Sequence, residues 1–255
     1  MSRSTARRFG PLVLCYHAVS DRWEHPLSVR PQAFEAQLRY LIRRGYRSVP
    51  ASEVLSGRGR TLHVTFDDGF LNVSGVVDTM QRLGVRATMF ACSAFAVDGR
   101  PFDGGKLAGE ALRYPDELRT MTFDDLRSLA ERGIEVGSHA ITHPRLTELS
   151  DHELARELGR SREEFEAELG RPCLFLAYPF GDEDARVRAA ARSAGYVGAF
   201  SFPGRRTPVD PYGLPRVGVY RKDGVVRTAL KVSVPGRHAA AWRAGRSRSR
   251  RARTG

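Results

Sequence analysis

Short apolar runs alternate with amphipathic segments along most of the chain. Eight runs have the length and the β-branched or aromatic content of buried strands: Leu12–Tyr16, Tyr46–Val49, Leu62–Phe66, Ala87–Cys92, Ile134–Gly137, Cys173–Tyr178, Val197–Phe202 and Arg216–Tyr220. Compact continuous runs of this kind mark strands covered on both faces, as in a parallel sheet. The segments between them read as helices with defined ends. Pro31 opens one that carries Phe34, Leu38, Leu41 and Ile42 on one face and closes at Gly45. Val73, Val76, Val77 and Met80 give helical spacing across Phe70–Leu83. Thr122 with Asp125, and Ser150 with Glu153, form N-cap pairs, the second opening a long charged helix to Leu169. Asp184–Ser193 is a further helix, stopped by Gly195. Strands alternating with helices predict a parallel α/β fold, barrel or doubly wound. Ala94–Arg119 has weak periodicity and reads as an elaborated loop bordering a site.

Composition adds a single globular core, with 41% hydrophobic and 27% charged residues. The net charge of +12 is uneven: residues 236–255 hold seven arginines and no acid. Without them the charge falls to about +5, ordinary for a soluble domain. That tail reads as disordered, able to touch anionic surfaces by plain electrostatics. Specific nucleic-acid binding is not expected, because only Trp242 interleaves with the arginines. Residues 1–10 read as an N-terminal extension, 11–235 as the folded domain. Cys15, Cys92 and Cys173 are scattered in apolar runs and read as buried thiols. The apolar run Pro11–Tyr16 is too short for a signal-peptide core, and no stretch approaches a membrane span, so the expected location is the cytoplasm.

Candidate chemistry collects just past strand ends. Thr65-Phe66-Asp67-Asp68-Gly69-Phe70 sets two adjacent carboxylates at the end of an apolar run. Neighbouring residues there point to different sides, so one carboxylate can face a metal and the other a water. Gly137-Ser138-His139-Ala140-Ile141-Thr142-His143-Pro144 follows another run, and its histidines, four apart, would share one face of a helical turn. His17 ends the first run, and Ala177-Tyr178-Pro179-Phe180-Gly181 ends a later one. Each alone has a bland explanation: a turn with a helix cap, solvated histidines, a core histidine, a plain turn. Together they favour a site, because parallel α/β folds gather functional groups at the shared C-terminal face of their strands. Aspartate with two histidines leaves open coordination positions, as catalytic rather than structural metal sites do.

TFDDGF at 65–70, GSHAITHPRL at 137–146 and LAYPFG at 176–181, in that order, resemble the polysaccharide deacetylase family (NodB homology domain, carbohydrate esterase family 4). CYHAVSD at 15–21 extends the match and is similar to the poly-N-acetylglucosamine deacetylase-like branch. The resemblance implies a deformed (β/α) barrel of about seven strands in a single domain, and removal of N-acetyl groups from an amino-sugar glycan. It implies Asp67 as general base and Asp68, His139 and His143 as ligands of one divalent metal, zinc by default. It also implies that a backbone N–H in Tyr178-Pro179-Phe180 helps to bind the oxyanion or substrate.

Two departures from the better-known branch matter. Ala177 stands where that branch has an arginine beside the base, and the one late histidine, His238, lies in the basic tail. His17 is the candidate general acid, and Arg216 a candidate replacement for the arginine. Without an export signal, the expected partner is an N-acetylated glycan or a lipid- or nucleotide-linked sugar. Hydrolysis of a non-sugar amide and an inactive glycan-binding module remain as alternatives.

Overall fold

The computed structural model describes residues 11–56, 59–202 and 210–233. The N-terminal extension and the basic tail, with His238, lie outside them. The strands are β1 (Leu12–Tyr16), β2 (Ala18–Val19), β3 (Ser28–Val29), β4 (Arg47–Ser48), β5 (Thr61–Phe66), β6 (Ala87–Ala91), β7 (Glu135–Ser138), β8 (Phe175–Ala177), β9 (Gly198–Ser201), β10 (Leu214–Pro215) and β11 (Val217–Gly218). The main sheet is parallel and runs β10-β9-β8-β7-β6-β5-β1-β11, with β4 beside the start of β5. β2 and β3 form a separate pair.

One extended segment joins the two edges of this sheet. Leu214 and Pro215 pair with β9, whereas Val217 and Gly218 pair with β1. Residues 214–218 therefore act as a single stave, closing a barrel of seven with β1, β5, β6, β7, β8 and β9. Arg216 sits at the crossover, its N–H donating to Ser201 O at 3.0 Å.

The helices are α1 (Pro31–Arg43), α2 (Ala51–Val54), α3 (Val77–Arg82), α4 (Ser93–Ala96), α5 (Ala108–Arg113), α6 (Pro115–Leu118), α7 (Phe123–Glu131), α8 (Asp151–Leu169), α9 (Ala185–Ser193) and α10 (Val225–Val232). Both expected capping boxes form, at Thr122/Asp125 and Ser150/Glu153, and Gly170 ends α8 in the left-handed conformation. The expected helix over Phe70–Leu83 starts as a 3-10 turn, Leu71–Val76, and becomes α only at Val77. Asn72, Ser74 and Gly75 are weak helix formers, and Asn72 Oδ1 accepts from Val19 N–H instead. Ala94–Arg119 holds α5 and α6 rather than plain loop.

Strand alternation divides the core in two. Leu12, Leu14, Tyr16, Leu62, Val64, Phe66, Met89 and Leu176 pack outward against the helices. Val13, Phe90, Phe175, Ala177 and Phe200 fill the barrel interior. Gly137 is required there: a Cβ would lie 2.5 Å from the Phe90 ring and 2.8 Å from the Phe175 carbonyl. On β5 the interior set is His63 and Thr65, and its next member is Asp67.

Candidate metal and catalytic centre

Because the staves are parallel, residues just past their C-terminal ends share one rim. His17 follows β1, Asp67 and Asp68 follow β5, His139 follows β7, and Tyr178, Pro179 and Phe180 follow β8. Asp67 and Asp68 part there. Asp67 points into the barrel, where Arg216 Nη1 donates to its Oδ1 at 2.6 Å and Nη2 to its Oδ2 at 2.8 Å. Arg216 Nη1 also donates to Thr65 Oγ1 at 3.2 Å, and Cys15 Sγ to Asp67 Oδ2 at 3.4 Å. Burial opposes the Asp67 charge, but the Arg216 guanidinium outweighs it and holds the carboxyl below the usual range. Arg216 thus stands beside Asp67, where the resemblance leads one to expect an arginine and the sequence has Ala177 at the matching position.

Asp68 turns the other way. Its Oδ1 lies 3.6 Å from His139 Nε2 and 3.4 Å from His143 Nε2. These separations are too long for hydrogen bonds, but ligand atoms about 2.1 Å from a tetrahedral metal lie about 3.4 Å apart. Asp68 Oδ1 is buried with no hydrogen-bond partner, and burial together with Asp67 pushes its pKa well up. His139 Nδ1 pairs with Ala177 O at 2.7 Å, which aims Nε2 at Asp68. Burial lowers the pKa of His139, and burial with the neighbouring His139 lowers that of His143 to about 2, so both rings keep free lone pairs. An orphaned carboxylate oxygen between two neutral imidazoles fits a divalent cation.

The histidines do not share a helical turn, as their spacing predicts. Residues 139–143 form a loop with left-handed φ at Ala140 (68°) and His143 (62°). Glu157 on α8 holds that loop, accepting from Ile141 N–H at 2.9 Å, Thr142 N–H at 3.1 Å and Thr142 Oγ1 at 2.9 Å. The four non-glycine residues with positive φ among those described are Asp68, Ala140, His143 and Phe180, all in the site. Such backbone costs about 1–2 kcal/mol per residue and persists where the surroundings enforce it.

His17 Nδ1 is buried without a partner, and burial lowers the pKa of the ring to about 4. Its ring nitrogen, Cys15 Sγ and an Asp67 oxygen lie within 4.8 Å of one another. Of the 178–180 turn, Phe180 (φ 59°) faces the site, its ring centroid 4.5 Å from that of His143. The Arg145 guanidinium caps the Phe180 ring at 4.5 Å and pairs with Asp182. Tyr178, of the same expected set, is buried beneath the turn. Its N–H donates to Phe200 O at 3.0 Å and its hydroxyl to Tyr212 O at 2.9 Å, so it braces the turn from beneath. Phe102, from the elaborated segment, completes the wall edge-on to His143 at 5.1 Å.

Sequence reasoning missed Glu157 and Phe102. Glu157 carries a legible signal, an acid on the apolar stripe Leu154, Leu158 and Phe165 of α8. Phe102 lies in a stretch without periodicity and carries none.

The family model for polysaccharide deacetylase matches residues 56–199. The Bacillus subtilis (strain 168) protein YxkH is 24% identical over 201 residues, 75% of this chain and 64% of that protein. The chain thus spans just under two thirds of that relative. Two solved structures share the fold. IcaB from Ammonifex degensii is 20% identical with a TM-score of 0.73, over 88% of this chain and 97% of that one. The Streptococcus pyogenes deacetylase PplD, in complex with acetate, is 17% identical with a TM-score of 0.72, over 89% and 99%.

Proposed function

Since the chain belongs to the polysaccharide deacetylase family, we propose that it hydrolyses the acetamide of an N-acetylated amino-sugar glycan or glycan precursor, with one divalent metal held by Asp68, His139 and His143. The observation that carries this reading is the division of labour between adjacent carboxylates: Asp67 is ion-paired, and Asp68 is orphaned between two neutral imidazoles. A bound cation, zinc by donor type, would polarise the acetamide carbonyl and lower the pKa of a coordinated water.

The chain's own residues do the rest. Asp67 accepts the proton of the attacking water, and Arg216 keeps it ionised and fixed in direction. A backbone N–H in the Pro179–Phe180 turn meets the oxyanion. His17 protonates the leaving amine, which cannot depart as an anion. The ring is neutral at rest, so it gives up a proton gained during the cycle, and nearby Asp67 is the source. Phe102 and Phe180 wall His143, and Phe70 packs behind Phe102.

The test pairs elemental analysis of the purified protein with acetate release from N-acetylglucosamine oligomers, with and without a chelator. One metal per chain and chelator-sensitive acetate release are expected. Metal without acetate release would redirect the site to another amide. A protein that takes up no metal on reconstitution would overturn the mechanism. Among the described residues, no helix is long and apolar enough to cross a membrane.

A further inference from the structure

A cavity of about 460 Å³ is lined by Glu24, His25, Pro26, Arg30, Tyr220, Arg221 and Lys222. Its place follows from strand register. Cys15 pairs with Gly218 across β1 and β11, so His17 and Tyr220, each two residues further on, emerge at the same level of the same rim. The cavity is a built seam. Arg221 N–H donates to Pro26 O at 2.9 Å, and its guanidinium donates to the carbonyls of Trp23 at 3.0 Å and Ser20 at 3.3 Å. The Trp23 indole stacks on His25 at 4.5 Å and packs against Phe70, two residues beyond Asp68. The Arg221 contacts fix the 20–27 loop to the segment that follows the closing stave.

The charge in the seam is unbalanced. Glu24, its one carboxylate, is taken by Arg221 at 3.4 Å. Arg30 and Lys222 are exposed, and neither has an ionic partner among the described residues. Unpaired cations also occur on the helices, where exposed Arg43 and Arg156 have no ion pair among the described residues, but Arg30 and Lys222 line one cavity together. Two unpaired cations on a cavity a few residues from the catalytic groups do nothing for a neutral glycan.

We propose that this seam is an anion subsite, and that the substrate carries an oxyanion, phosphate or carboxylate, next to the N-acetylated sugar. The inference rests on the deacetylase reading and narrows its substrate class. Arg30 and Lys222 would meet the oxyanion, while His25, Pro26 and Tyr220 give its carrier an apolar floor. Because both cations are solvent-exposed, their contribution fades with salt.

The experiment compares kcat/KM for acetate release by the metal-loaded protein on three probes. These are a neutral N-acetylglucosamine oligomer, uridine diphosphate N-acetylglucosamine, and an oligosaccharide alternating N-acetylglucosamine with glucuronate. At low ionic strength one anionic probe should exceed the neutral one; which of the two identifies the oxyanion. The anionic-to-neutral ratio should fall about tenfold in Arg30→Ala/Lys222→Ala, recover in Lys222→Arg on the Arg30→Ala background relative to the double variant, and shrink as salt rises. A neutral probe that is turned over best, with a ratio the variants do not move, overturns the subsite and leaves the deacetylase standing. No acetate from any of the three overturns both.

Discussion

The barrel interior has a polar cluster at each end, and the two differ in one respect. At the bottom, His63 Nδ1 meets Val49 O at 2.8 Å, His63 Nε2 meets Thr88 Oγ1 at 2.9 Å, and Thr88 meets Glu135 Oε2 at 2.8 Å. These three side chains are all partnered, and among the described residues Thr61 Oγ1, two residues before His63 on β5, is the one buried atom near them without a partner. At the rim, Asp68 Oδ1, His17 Nδ1, His143 Nδ1 and Arg216 Nε have none. Titration does not separate the ends, since burial lowers both His63 and His17 to about 4. Satisfaction does. An unsatisfied buried polar atom costs about 1–3 kcal/mol, and a fold that tolerates four side by side reserves them for something that arrives later.

The comparison breaks hardest at the metal ligands. His139→Ala should abolish metal retention and acetate release while melting stays cooperative and near wild type, read by elemental analysis and calorimetry. Full activity in this variant would remove the assignment. Asp67→Asn should lower kcat by about 10³-fold with metal retained. Arg216→Met leaves a buried, uncompensated carboxylate. It should cost about 3–5 kcal/mol of stability along with turnover, and Asp67→Asn in the same chain should restore part of the stability. His17→Ala should depress kcat by about 10²-fold with little change in metal affinity. Unchanged turnover there would make Asp67 both the base and the proton donor. The smallest effect on chemistry belongs to the bottom cluster. His63→Ala should lower the melting temperature, yet activity per folded molecule should hold. Metal affinity should also weaken as pH falls, because Asp68, raised by burial and by Asp67, takes up a proton before an ordinary carboxylate does and must lose it to bind.

What was legible in the sequence was local. The run Leu12–Tyr16 coincides with β1, and Thr122 and Ser150 cap as their spacing dictates, because alternation and capping are settled within a few residues. The groups at the rim were legible because a parallel sheet delivers strand ends to one face. Their arrangement was not. The i,i+4 histidines meet through a left-handed loop that Glu157 ties down from another element, and four-residue spacing carries no trace of that tie. α10 also went unread, its eight residues following a strand that itself changes partner. The Arg216–Asp67 pair spans 149 positions, and only closure of the barrel brings it together.

That closure sets an order of events during synthesis. Asp67 leaves the ribosome early, with β5, and its counter-ion follows 149 residues later on the last stave. Until then the nascent sheet has two open edges and a carboxylate it cannot bury. The residue that seals the barrel also neutralises the interior, so the chain cannot finish folding without finishing its site. A chain cut before residue 214 would keep both strand edges open and leave Asp67 without its counter-ion.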